Sequence, residues 1–145
     1  MKFSDRYKRQ MLLPQIGSEG QKKILEAKVL VIGAGGLGCP LMQILASSGI
    51  GTIGIVDHDV VSQSNLHRQI LFNESDIGKN KSEIAAIALT KLNAEIKINV
   101  YPYKLTVENA MQLINQYDLV IDGSDNFETK YLVNDTSVKC NKTFL

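Results

Sequence analysis

The feature that most constrains this chain is the stretch Lys28 to Gly38, KVLVIGAGGLG. Lys28-Val-Leu-Val-Ile is a short apolar run of the kind buried on both faces of a parallel sheet. It leads directly into Gly33-Ala-Gly-Gly-Leu-Gly38, which holds G-x-G-x-x-G at Gly33, Gly35 and Gly38, with an additional glycine at Gly36. A helical pattern follows through Leu41, Ile44, Leu45 and Ser48. A strand that turns into a helix through glycines leaves its main chain open to a phosphate. The helix then presents free N–H groups and the positive end of its dipole to that anion. The context predicts a nucleotide site.

The rest of the chain reads as alternating strands and helices. Gly17 to Glu26 reads as a short helix leading into the first strand, within an N-terminal helical arm over 1–27. Ser47-Ser-Gly-Ile-Gly51 is a helix stop, and Thr52 to Asp57 is the second strand, completing a βαβ unit of about 30 residues. The polar stretch His58 to Lys79 is too long for a passive turn. Ser82 to Leu92 predicts a helix with Ile84, Ile87, Ala88 and Leu92 on one face. Glu95 to Tyr101 alternates like a strand, Thr106 to Gln116 predicts a helix with Thr106 as N-cap, and Asp118 to Asp122 is a buried strand. Asn126 to Val138 predicts a last helix, and Thr143 to Leu145 a strand just starting. This succession predicts an α/β, Rossmann-like doubly wound fold, with a mostly parallel sheet and helices on both faces. One domain over 1–145 is expected, its sheet cut short at the C-terminus.

Composition narrows the classes. A hydrophobic share of 44% can bury a core, and no segment is apolar for long enough to span a bilayer. MKFSDRYKRQ lacks the apolar stretch of a signal peptide, so a cytoplasmic protein is expected. Sixteen basic against fifteen acidic residues leave a net charge of +1, which gives no support to a nucleic-acid or membrane-surface role. The two cysteines, Cys39 and Cys140, make neither a disulfide framework nor a metal quartet, and both read as small packed residues.

Asp57 ends the second strand, 19 residues after Gly38, where a carboxylate accepts hydrogen bonds from a ribose hydroxyl. Asp59 reads equally well as surface or functional. To this point an NAD-dependent dehydrogenase fits as well as any other reading, because the glycines and a distal acid leave the reaction open. Ser64-Asn-Leu-His-Arg-Gln69 adds hydroxyl, amide and guanidinium groups beside the site. Arg68 is a fork of donors for phosphate oxygens, and Lys81 stands at the start of a helix, another place for an anion. A triphosphate needs two extra cations here; dinucleotide reduction does not. Asp122-Gly-Ser-Asp-Asn126 follows the fourth strand at a carboxyl end, where open α/β sheets bind ligands. Asp125 there suits Mg²⁺, which takes a carboxylate or two plus phosphates and water; the alternative is that Asp125 and Asn126 cap the next helix. Asp122 reads as a strand-end structural acid. On charge alone Arg6 and Arg9 are a solvated segment, and His58 and His67 are loop surface rather than metal ligands.

Taken together, RYKRQ (6–10), VLVIGAGGLG (29–38), VDHDVVSQSNLHRQ (56–69), GKNKSE (78–83) and DLVIDGSDN (118–126) resemble the N-terminal, ATP-binding part of the ThiF/MoeB-type adenylyltransferases, kin to the ubiquitin-activating enzymes. The resemblance implies ATP, with Gly33, Gly35, Gly36 and Gly38 at its phosphate loop and Asp57 on the ribose. It implies Ser64, Asn65, Arg68, Gln69 and Lys81 around ribose and triphosphate, and Asp125, followed by Asn126, at Mg²⁺. It implies a homodimer in which Arg9 reaches the partner's ATP, so that Arg9, Arg68, Lys81 and Asp125 are the expected catalytic set. The implied substrate is the C-terminal glycine carboxylate of a ubiquitin-like sulfur-carrier protein (ThiS/MoaD-like), adenylylated with loss of pyrophosphate in thiamin or molybdopterin biosynthesis. Structural zinc and a sulfur-transfer cysteine belong to family segments that these residues do not include. Three other readings compete: a relative adenylating a carboxylate on modified tRNA, a non-catalytic ATP- or carrier-binding fragment, and the dehydrogenase.

Overall fold

The structure is a computed structural model that describes residues 5–145; the first four residues of the N-terminal arm lie outside the described residues. Strands β1 (Lys28–Ile32), β2 (Thr52–Val56), β3 (Lys97–Tyr101), β4 (Leu119–Asp122) and β5 (Thr143–Phe144) form one sheet in the order β3-β2-β1-β4-β5. Every neighbouring pair is parallel. The connecting helices are α3 (Gly38–Ser48), α4 (Lys81–Leu92), α5 (Val107–Ile114) and α6 (Phe127–Lys139), preceded by the short α1 (Lys8–Met11) and by α2 (Gly17–Glu26).

The strand sequence explains this order. Val29 to Ile32 are all buried, as a strand covered on both faces requires. Alternate residues feed two cores. Val29, Val31, Ile53 and Ile55 meet Met42 and Ala46 of α3 and Ala85 and Leu89 of α4. Leu30, Ile32, Val56 and Val120 meet Ala110, Leu113 and Ile114 of α5 and Val133 of α6. The chain winds outward from β1 through β2 to β3, then returns to lay β4 on the other side of β1. That reversal is the topological switch point, outside whose strand ends open α/β sheets bind ligands.

The doubly wound reading holds, with a sheet that is parallel throughout the described strands. Details differ. The helix phases hold only in part: Leu41, Leu45, Ile84 and Ala88 pack against the core, but Ile44 and Ile87 are 65% and 51% exposed, and the fully buried stripes are Cys39, Met42 and Ala46 on α3 and Ser82, Ala85 and Leu89 on α4. α3 and α4 pack against each other as well as against the sheet, so small side chains (Cys39, Ala46, Ser82, Ala85) share the buried stripes with Met42 and Leu89. β3 starts at Lys97 rather than Glu95, because Asn93 Oδ1 accepts the Glu95 N–H and holds a turn there. The stretch after β2 is not wholly polar in its packing: Val61, Leu71 and Phe72 are buried and anchor it to the α4 side of the sheet. Cys39 is fully buried, and that burial pushes its thiol up to about 11. No helix among the described residues is long and apolar enough to cross a membrane.

Candidate functional site

A cleft of about 730 Å³ opens over the carboxyl ends of the central strands, with Ile32 of β1, Val56 of β2 and Gly123 after β4 in its wall. The glycines shape its floor, each differently. Gly33 turns at φ +92°, where a Cβ would also lie 3.0 Å from the Gly123 carbonyl, so only glycine serves. A Cβ on Gly38 would collide with the Gly33 carbonyl oxygen; its absence lets α3 begin directly against the turn. Gly36 lies under the stem of Arg68, whose Cγ and Cδ would be 3.3 Å from a Cβ there. Gly35 is open: the nearest atom to its Cβ position is Gln69 Nε2 at 4.0 Å. It is the bare main chain over which a ligand can lie.

Asp57, at the end of β2, is 9% exposed. Its Oδ2 accepts the Ala34 N–H at 2.7 Å and its Oδ1 the Asp59 N–H at 2.8 Å. The carboxylate therefore clamps the glycine turn to β2, and each oxygen keeps acceptor capacity. Lys81 opens α4, whose N-terminus Asn80 caps by accepting the Glu83 N–H at 3.2 Å. The Lys81 side chain is buried, and its ammonium lies 3.1 Å from Asp59 Oδ2. Arg68 is exposed and donates through Nη1 to the Ser64 carbonyl at 3.4 Å; the same nitrogen lies 3.3 Å from His67 Nε2. The rest of its five-donor fork is left for a ligand. Gln69 is 4% exposed and donates to Asn65 Oδ1 at 3.1 Å, while its own Oε1 is buried without a partner. A buried acceptor without a partner is costly, and Gln69 stands in the cleft wall.

Asp122, Asp125 and Asn126 divide the work after β4. Asp122 accepts the Ser124 N–H at 2.8 Å and pairs with Lys130 at 3.6 Å, a structural role. Asn126 caps α6 by accepting the Thr129 N–H at 2.9 Å. Asp125 is exposed in the cleft wall, and its carboxylate makes no hydrogen bond or ion pair among the described residues. It is the uncommitted acid of the site.

Ten of the residues predicted from sequence thus line one cleft: Gly33, Gly35, Gly36, Asp57, Asn65, Arg68, Gln69, Lys81, Asp125 and Asn126. Three do not. Gly38 is buried beneath the turn. Ser64 is not in the lining; its hydroxyl sits with Ser62 Oγ at 2.7 Å and accepts from Asn65 Nδ2 at 3.2 Å. Arg9 is on α1, outside the cleft altogether. Conversely, Tyr103, Lys104 and Leu105 form a rim after β3, with Lys104 bridging to Glu128 at 3.3 Å. Ser124 also lines the cleft, with a buried, unpartnered Oγ. Sequence reasoning passed over these four; the available signal was their position just beyond strand carboxyl ends. Asp57, His58 and Asp59 have ligand atoms within 4.8 Å of one another. Asp59 is already engaged by the Lys81 ammonium, and both Asp57 oxygens by main-chain N–H groups.

Fold and cleft together define a class: a Rossmann-like α/β protein with a ligand-sized cleft at its topological switch point. Within that class the chain belongs to the ThiF family, which matches it over residues 7–145. It is 50% identical over 138 residues to a sulfur carrier protein adenylyltransferase of Thermus thermophilus, covering 95% of this chain and 51% of that protein. It is 53% identical over 137 residues to the adenylyltransferase and sulfurtransferase MOCS3 of Xenopus laevis, covering 94% of this chain and 30% of that one. The chain therefore spans about half or less of the length of these curated relatives. Among solved structures it resembles E. coli tRNA N6-threonylcarbamoyladenosine dehydratase, TcdA, in complex with ATP. The TM-score is 0.91 at 27% identity, over 99% of this chain and 60% of that one. It also resembles E. coli MccB with AMPCPP and MccA, with a TM-score of 0.86 at 34% identity over 97% of this chain and 43% of that one.

Proposed function

We propose that this chain is the ATP-binding part of an adenylyltransferase that activates the C-terminal glycine carboxylate of a ubiquitin-like sulfur-carrier protein, ThiS/MoaD-like, for thiamin or molybdopterin biosynthesis. The observation that carries the reading is convergence: the glycine turn, Asp57, Arg68, Lys81 and Asp125 come from four segments far apart in sequence and line a single cleft. The names of its curated relatives and the ATP bound to TcdA support the same reading.

In this assignment the triphosphate lies over the open face of Gly35 with Arg68 and Lys81 on its oxygens, and a ribose hydroxyl donates to Asp57. Asn65, Gln69 and Asn126 complete the nucleotide contacts, and Ser64 holds the loop that carries Arg68. The uncommitted Asp125 carboxylate fits Mg²⁺, which shares such a ligand with phosphates and water; bound there, the ion would neutralise phosphate charge. A glycine carboxylate is already ionised at neutral pH. One of its oxygens bonds to the α-phosphorus, the bond from that phosphorus to the bridging oxygen breaks, and pyrophosphate departs with the electron pair. No side chain has to act as general base. The protein's contribution is to bring two anions together by position and fixed positive charge. Arg9, on α1, is not among the residues that line its own cleft, and is assigned to the cleft of a second copy in a homodimer.

The test is ATP–pyrophosphate exchange dependent on the carrier protein. Arg68→Ala and Asp125→Ala each remove a charged contact of roughly 3–4 kcal/mol in the transition state and should lower exchange several-hundredfold. Exchange that survives both substitutions overturns the assignment. The close structural likeness to TcdA favours one second reading, a carboxylate on modified tRNA; exchange stimulated by tRNA and indifferent to the carrier would select it.

A further inference from the structure

The best-built polar cluster outside the cleft lies at the opposite end of α3. Tyr7 and Asn93 are 1% and 0% exposed, and Gln21 is 0% exposed. All three gather around the last carbonyls of that helix, which have no partners within it. Asn93 Nδ2 donates to the Ala46 carbonyl at 2.8 Å and to the Tyr7 hydroxyl at 2.9 Å. Gln10 Nε2 donates to the Ser48 carbonyl at 2.8 Å and also to Gln21 Oε1, and Gln21 donates to the same Ser48 carbonyl at 3.4 Å. The Tyr7 ring lies over Gly49, the left-handed cap of α3 at φ +89°, where a Cβ would come within 2.6 Å of the ring. The segment before β1 is thus fastened by Tyr7 and Gln10 to the end of a helix whose other end forms the glycine turn.

Arg9 sits between the two fasteners. Tyr7 and Gln10, one turn apart, face inward, while Arg9 is exposed. The 11 residues of α3 separate this attachment from the glycine turn, about 16 Å at 1.5 Å per residue. We propose that Tyr7 and Gln10 are positioning residues: they latch α1 to the C-terminal end of α3 and so hold Arg9 ready on the outer surface for the cleft of a second copy. The latch rests on the reading in which Arg9 is donated in trans. An arm ordered beforehand loses no conformational freedom at the moment of reaction, whereas a loose one loses it at every turnover.

Mixed dimers of the protein as encoded test this. An Arg9→Ala protomer keeps its cleft and loses its arm; an Asp125→Ala protomer keeps its arm and loses its cleft. Mixed, they should regain one working site. Tyr7→Phe with Gln10→Ala, which keeps the ring on Gly49, is then added to one protomer or the other. On the Asp125→Ala protomer, which supplies the arm, it should lower kcat for exchange at least tenfold; on the Arg9→Ala protomer, less than twofold. General damage to the fold would lower both mixtures alike. Equal losses, or no loss in the first mixture, overturn the latch while leaving trans donation intact. If the wild type exchanges pyrophosphate but the parental mixture recovers nothing, trans donation is wrong and the latch falls with it.

Discussion

Gly35 and Gly54 do opposite jobs, and substitution should separate them. Gly54 sits in β2 where a Cβ would overlap the Tyr117 hydroxyl and come within 2.8 Å of Leu30 Cδ1. Tyr117 cannot yield easily, since its ring is buried and its hydroxyl is bonded to Asn99 at 3.0 Å and Tyr101 at 2.8 Å. Gly54→Ala should cost about 1–3 kcal/mol of stability, as overpacking does, measured by urea denaturation. Gly35 has open space around its Cβ position. Gly35→Ala should leave unfolding within about 1 kcal/mol of the parent, yet weaken ATP binding at least tenfold by calorimetry, because the methyl group takes the place of the phosphate. Unchanged affinity would put the triphosphate elsewhere. The sequence marked Gly35 as part of a fingerprint. It gave no warning about Gly54, whose neighbour Tyr117 is distant in the chain. The same limit hid Ser124 and Tyr103: their residue types carry no signal of their own, and only the topology brings them to the cleft.

At the scale of elements, helix ends explain why Asp125 and Asn126, adjacent in sequence, should respond differently. Asn126 accepts the Thr129 N–H and caps α6, so Asn126→Ala should cost about 1 kcal/mol. Asn126→Asp should cost almost nothing, since aspartate caps equally well. Asp125→Ala should leave the melting temperature alone, because its carboxylate holds nothing in the described structure. A thermal melt of the three variants decides the point; a cap role for Asp125 would show as a loss of stability comparable to that of Asn126→Ala. The five strands and the helices α2 to α6 were legible, since apolar runs and turn residues alternate; α1 was not placed, because its four residues carry no apolar period. Helix phase was legible only in part. On α3 and α4, Ile44 and Ile87 point outward, and the buried stripes mix the small Cys39, Ala46, Ser82 and Ala85 with the large Met42 and Leu89. Periodicity weights bulk, while close packing of two helices on a sheet admits small side chains beside large ones.

For the whole molecule, the cleft joins segments that the fold otherwise leaves to separate elements: the turn after β1, the ends of β2 and β4, and the start of α4. A ligand that touches all of them binds only the folded chain and stabilises it by mass action. At one hundred times its Kd, ATP with Mg²⁺ should add about 2.7 kcal/mol, a rise in Tm of roughly 5–10 °C for a chain of this size. NAD at the same concentration should produce little shift. On the proposed assignment Arg68 and Lys81, both in the cleft wall, hold triphosphate oxygens, and NAD, bridged by two phosphates only, offers them one phosphate fewer. The contrast should fade with added salt for Arg68, which is exposed, and less so for Lys81, which is buried, since solvent ions screen surface charges more strongly. Arg68→Ala should therefore reduce the ATP shift mainly at low ionic strength, and Lys81→Met at every ionic strength. A larger shift with NAD than with ATP would return the cleft to the dinucleotide reading that the glycines alone leave open.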